Sequence, residues 1–213
     1  MNIVVCVKRV PETADAEISV DKSGRGIDQS GLAFDLNEWD TYAIEEAIRL
    51  KEKTGGTVTV VSMGGEASNE TLRKCLAMGA EEAVRLTDPA FEESDGFATA
   101  KVLAEAIRKM AFDLILTGTQ AEDDGYGQVG VTLAEFLGVP HASLVNQLEV
   151  REKKAVVHRE LEGGLEEVVE IDLPAVLTLQ TGINEPRYVS IMGIRKVAKK
   201  EIKTLGAADL NVK

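Results

Sequence analysis

The chain has 213 residues, 44% of them hydrophobic and 28% charged, an ordinary globular composition that excludes a disordered protein and suits one well-buried domain with appendages. A formal net charge of −12 opposes approach to a polyphosphate backbone, which argues against nucleic acid as a partner. Cys6, Cys75, His141 and His158 stand apart in the sequence, so neither a disulfide framework nor a metal-ligand set is expected.

No apolar stretch approaches the ~20 residues that span a bilayer. Met1 leads within two residues into Ile3-Val4-Val5-Cys6-Val7, leaving no room for a secretory or transit leader, so a prokaryotic cytoplasm is the expected compartment. That first apolar run reads as a strand buried on both faces of a parallel sheet. In the polar stretch Lys8 to Asp35, Ala16 to Val20 alternates and Asp21-Lys22-Ser23-Gly24 is turn chemistry, predicting a small hairpin excursion. Asn37 then occupies a helix N-cap position, with Glu38 and Asp40 near the positive end of the helix dipole. The helix is expected to reach about Lys53, with Ala43, Ile44, Ala47 and Ile48 inward and the Glu45–Arg49 pair on the exposed face.

Strand Thr57 to Ser62 feeds Met63-Gly64-Gly65 into a helix ending near Met78, with Gly79 as its C-cap. A strand at Ala83 to Leu86, a helix from about Asp95 to Met110, a strand at Leu114 to Thr117 and a helix from about Gln128 to Leu137 continue the alternation. This order implies right-handed βαβ crossovers and a doubly wound α/β fold with a mainly parallel sheet. Beyond Pro140 four strands are expected, Asn146 to Val150, Ala155 to Arg159, Glu166 to Asp172 and Ala175 to Leu179, some as antiparallel edge strands. Residues 184–213 form an Arg- and Lys-rich tail without a clear core pattern, which divides the chain into an α/β domain over 1–183 and a loop with a short tail over 184–213.

Ligands of open parallel sheets bind beyond the carboxyl ends of the strands, where strand order reverses. Gly125-Tyr126-Gly127-Gln128-Val129-Gly130 places glycines before a helix whose free N–H groups favour an anion; a tight turn without ligand accounts for the same glycines. The spacing spells a dinucleotide fingerprint, with Glu149 at the distance of a ribose-binding acid, but such a fingerprint belongs directly after the first strand. Asp123 and Asp124 lack a nucleophile or general base beside them, so hydrogen bonds to ribose or loop amides are their expected use. Asn37 alone reads as a cap.

Together these segments resemble the beta subunit of electron-transfer flavoproteins. Val7-Lys8-Arg9-Val10-Pro11, Asn37 to Lys51, Thr71-Leu72-Arg73 with Ala77-Met78-Gly79-Ala80, Gly118 to Gln128, the run Val157 to Thr178, and Asn184-Glu185-Pro186-Arg187-Tyr188 carry the resemblance in order. It implies an adenine-nucleotide α-hydrolase-like sheet and a non-enzymatic electron carrier that pairs with an FAD-bearing alpha subunit. Electrons would pass from dehydrogenases to a quinone reductase or another acceptor. It implies AMP in this chain, or a second FAD as in electron-bifurcating members. The contacts it carries over are Cys6, Asn37, Met63, Gly118, Asp123, Gly127, Gln128 and Val129, to which Asp124 is added from the same loop. Glu166 matches a carboxylate that pairs with the partner's FAD domain, and Ile191 an apolar anchor for dehydrogenases beside Arg195, Lys196, Lys199 and Lys200. Thr13 stands where some relatives have Tyr, and relatives often continue past the position of Lys213 into an arm clasping the alpha subunit. A stand-alone nucleotide-binding module of the stress-protein type is the alternative reading; an NAD-dependent dehydrogenase would need a hydride-transfer site that the sequence does not offer.

Overall fold

The computed structural model describes residues 1–14 and 16–212. Strand β1 (Asn2–Cys6) is an inner strand of its main sheet. Alternate side chains of the apolar run serve two layers: Ile3, Val5 and Val7 join one core, Val4 and Cys6 the other, as a strand covered on both faces requires. The chain then passes through β2 (Arg9–Pro11) and β3 (Phe34–Leu36), which form a separate antiparallel pair, and enters α1 (Glu38–Thr54). The expected hairpin at 16–24 is reduced to one isolated bridge, Val20 to Ile27. Ile18 and Val20 are exposed, so the alternation has no apolar surface to bury against.

Next come β4 (Thr57–Met63), α2 (Ser68–Met78), β5 (Glu82–Leu86), a short 3-10 turn at Pro89–Phe91, α3 (Gly96–Ile107), β6 (Leu114–Gly118) and α4 (Val129–Leu137). Helices α1 and α2 cover one face, burying Ile44, Ile48 and Leu72. Helices α3 and α4 cover the other with Leu103, Ile107 and Leu133. Strand β7 (His141–Arg151) starts earlier than expected because its first residues pair parallel with β10 (Ala175–Leu179), while its outer half pairs antiparallel with β8 (Lys154–Leu161). Strand β9 (Leu165–Asp172) completes that antiparallel meander.

The tail departs from expectation. After α5 (Ile191–Lys196), β11 (Lys203–Leu205) pairs parallel with β5, and Leu210 in α6 (Ala207–Leu210) is fully buried. Three residues are too few to show a period, and their pairing comes from the otherwise open edge of β5. The sheet order is therefore β11-β5-β4-β1-β6-β10-β7-β8-β9, an α/β fold with a mostly parallel sheet. The chain runs outward from β1 first through β4 and β5, then returns to β6 on the opposite side, so the order reverses between β1 and β6. Among the described residues no helix is long and apolar enough to cross a membrane.

Candidate functional site

Where β1 and β6 splay apart at their carboxyl ends, a cavity of about 300 Å³ opens. Cys6, Asn37, Met63, Gly118, Asp124, Gly127, Gln128 and Val129 all line it. Asp123 does not; its carboxylate turns to Lys8 Nζ at 2.6 Å. Asp124 accepts from the same ammonium at 3.0 Å and from the Tyr126 amide, also at 3.0 Å. The expected loop-amide use thus holds for Asp124, while Asp123 anchors the loop to the end of β1. Burial works to lower the Lys8 pKa, but the two aspartates outweigh it and raise it.

Asn37 sits at the N-cap of α1 without a side-chain cap bond. Its amide bonds the glycine-rich loop, donating to the Gln120 carbonyl at 2.9 Å and accepting from the Glu122 N–H at 3.1 Å. The expected cap is instead a clamp on the glycine-rich loop. Three residues on, Asp40 is buried and accepts from the Lys8 N–H at 2.7 Å and the Gly118 N–H at 3.0 Å. Burial pushes its carboxyl up to about 7, against the pull of those donors and of Asn37. Sequence reading missed Asp40, placing it only near the helix dipole; a carboxylate in the first turn gives no sign of backbone partners just past β1 and at the end of β6.

Two glycines are dictated by close approach. A Cβ on Gly118 would lie 2.5 Å from both Trp39 Cβ and Asp40 Oδ1, and one on Gly130 would lie 2.4 Å from Thr178 Cγ2 and 2.7 Å from Thr117 Oγ1. The start of α4 thus rests on the ends of β6 and β10. Gly125 and Gly127 both adopt φ +63°, the left-handed region open to glycine. In and after this turn the amides of Gly127, Gln128, Val129 and Gly130 have no acceptor among the described residues, which leaves a helix N-terminus facing the cavity with donors for an anion. The Cys6 thiol is buried and pushed up to about 12 by that burial and by Asp40, so it is an apolar wall and not a nucleophile. Glu149 lies far from this in sequence and pairing: exposed on β7, it bonds Arg151.

The partner-binding candidates lie elsewhere. Glu166, exposed on β9, accepts from Asn146 Nδ2 at 2.7 Å and faces His158 Nδ1 at 3.5 Å, and these two hold its carboxyl below the usual range. Ile191 opens α5 at 70% exposure, beside Met192 at 69% and Tyr188 at 89%. This apolar cluster stands on an anchored segment. Arg187 bonds Glu45 and Glu52 on α1, and Asn184 bonds the Tyr42 carbonyl and Glu46. Glu45, expected on an exposed face, is buried under Arg187 while keeping its bond to Arg49 at 2.8 Å; the tail covers what the helix pattern alone leaves to solvent.

The fold is an open α/β sheet with a cavity at its strand-order reversal, the place where such sheets take their ligands. The model of the electron transfer flavoprotein domain matches residues 26–210. The electron transfer flavoprotein subunit beta of Methylophilus methylotrophus is 42% identical across all of this chain and 81% of its own length. That of Thermoanaerobacterium thermosaccharolyticum is 44% identical with the same coverage. The caffeyl-CoA reductase-Etf complex subunit CarD of Acetobacterium woodii is 40% identical over all of this chain and 80% of its own. The chain belongs to the electron transfer flavoprotein family, in which it resembles the beta subunits, and its role is in electron transfer; the stress-protein alternative is not favoured.

Proposed function

We propose that this chain is a carrier subunit that holds AMP in the cavity between β1 and β6 and works as a heterodimer with a larger, FAD-bearing alpha subunit. The reading rests on the convergence of residues from five separate loops on one cavity that ends at the free amides of α4. AMP fits the donors present: its phosphate is an anion for the amides of Gly127, Gln128 and Val129, and Cys6, Met63 and Val129 offer apolar surface to a base. The redox chemistry is supplied by the flavin when bound. This chain binds, orients and docks, and has no catalytic group of its own.

In this reading Ile191, with Met192 and Tyr188, enters an apolar pocket on a dehydrogenase while Arg195, Lys196, Lys199 and Lys200 steer an acidic rim. Glu166 offers its carboxylate to a cation on the alpha subunit, and a quinone reductase or other acceptor takes the electrons onward. A second reading places FAD here in place of AMP. It is favoured by a second hollow of about 490 Å³ that shares Met63 and Ser94 with the cavity. Its Asp88, Glu92 and Glu93 oppose a pyrophosphate, which keeps AMP the preferred ligand. Co-expression with the alpha subunit, acid extraction and chromatography test the choice. One FAD and one AMP per heterodimer is the expected result, and two FAD overturn it. Gly127→Pro, which removes a donor and forbids φ +63°, should strip the nucleotide from the purified complex; full retention would refute the phosphate site.

A further inference from the structure

The cavity floor contains a charged group that no nucleotide contact explains. Asp40 carries its carboxylate from the first turn of α1 into the gap between β1 and β6 and accepts one backbone N–H from each side, Lys8 at 2.7 Å and Gly118 at 3.0 Å. These two residues are where the strands leave the sheet. Lys8 then reaches on to Asp123 and Asp124, and Gly118 opens the loop that Asn37 grips at Gln120 and Glu122. The two oxygens of one buried carboxylate thus fix the spacing of both rims of the site. Because both partners are donors, one to each oxygen, an ionised carboxylate satisfies them, whereas a carboxylic acid puts its proton on one oxygen and weakens that oxygen as the acceptor of its N–H group.

We propose that Asp40 is a positioning residue for the nucleotide: its ionised carboxylate ties the ends of β1 and β6 at the separation the ligand needs, and protonation releases that tie. This rests on the reading of the cavity as a nucleotide site. The group is suited to the task near neutral pH, since burial raises its carboxyl to about 7. Among the neighbouring groups, the carboxyl of Glu122 on the loop gripped by Asn37 is also raised, first by burial and then by Glu38. Lys8 is raised above its ordinary value, and burial raises the thiols of Cys6 on β1 and Cys75 on α2, with Asp40 adding to both. Of the other acids at the cleft, Asp123 and Asp124 are paired to Lys8, and Asp95 caps α3 through the Ala98 N–H. Neither histidine lines the cavity. Mildly acidic conditions should therefore loosen the nucleotide by altering the protein backbone that frames it.

The test compares AMP affinity of the wild-type and Asp40→Asn full chains, each purified with its alpha subunit and freed of nucleotide, across pH 5.5 to 8.5 by equilibrium dialysis. The AMP phosphate titrates in that range too, but it does so for both proteins and divides out of the ratio of dissociation constants. The amide keeps the side-chain shape and loses one acceptor. Wild type should bind about tenfold to a hundredfold more tightly at the alkaline end, the size of one charge-assisted hydrogen bond, and the ratio should shrink as pH falls below about 7. A ratio near one throughout, or one that does not change with pH, overturns the assignment. If D40N does not fold, wild type with adenosine 5′-sulfate, a monoanion over the whole range, decides: affinity rising with pH supports the proposal and a flat profile overturns it. Binding of neither probe at any pH would defeat the nucleotide reading itself, whereas binding with a flat profile defeats only the role of Asp40.

Discussion

One helix holds two loops by different physics. The first turn of α1 ties the glycine-rich loop through buried, mostly uncharged contacts from Asn37 and Asp40 to backbone groups. Its later turns tie the segment 184–190 through carboxylates, Glu45, Glu46 and Glu52, to Arg187 and Asn184. Backbone-directed bonds inside a cleft depend little on salt and fix positions closely; carboxylate–guanidinium pairs at the edge of solvent hold firmly but are screened. The glycine-rich loop is set to a geometry, and the segment 184–190 is held against a surface with Tyr188 left exposed.

The sharpest way to break the first half of this comparison is Gly130→Val. Its side chain has no room between Thr117 and Thr178, so the start of α4 must lift. We expect about 1–3 kcal/mol of lost stability from overpacking and loss of nucleotide, read by denaturant unfolding and by extraction; retained nucleotide at wild-type stability would contradict the packing. The second half is broken by Arg187→Met. Removing the guanidinium from the buried Glu45 should cost roughly 1.5–3 kcal/mol and raise amide exchange in 184–197 while nucleotide content stays unchanged. Unaltered exchange there would show that the segment is held by something else.

The same pair gives a pH signature. Burial acts to raise the Glu45 carboxyl, but Arg187 and Arg49 outweigh it and hold it below its ordinary 4.5. A depressed folded value means that the stabilisation is present above the unfolded pKa and is lost as pH falls through the folded one. Wild type should therefore lose stability on acidification below about 4.5 more steeply than R187M. Parallel curves in chemical denaturation would remove Glu45 from the account. Ile191→Ala should weaken dehydrogenase docking by ~1.5–3 kcal/mol, the worth of a buried aliphatic side chain, raising KM with flavin content unchanged. The smallest effect belongs to Gln128→Ala. If the main-chain amide is the ligand, AMP affinity should change by less than about 0.5 kcal/mol, the ordinary effect of a substitution away from any special feature, and a tenfold loss would move the contact to the side chain.

Much of the α/β framework was legible because its signals are local. Ala43, Ile44, Ala47 and Ile48 are spaced for one buried helix face, and Ile3 to Val7 is apolar at every position. The glycine-rich loop was legible for the same reason. Asp40 was not, because its acceptor role is defined by N–H groups 32 and 78 residues away. Asn37 was read as a cap because cap geometry is local and its actual partners lie on the glycine-rich loop. Glu45 was put on the solvent face since only the returning tail, 142 residues on, covers it. Strand β11 was hidden because an edge in need of pairing, and not its own three residues, makes it a strand.

That strand has a consequence for how carriers of this kind can diversify. Because β10 precedes residues 180–202 and β11 follows them, the segment bearing Tyr188, Ile191 and Met192 is a loop sealed at both ends by the sheet. Val189, Val197 and Ile202 pack on the core and Arg73 holds the Val197 carbonyl, whereas Tyr188, Ile191 and Met192 are exposed, so those three can be exchanged while the strands, Arg187 and the cavity remain as they are. On the docking proposed above, grafting the exposed residues of another carrier's segment should transfer its dehydrogenase preference without disturbing the nucleotide.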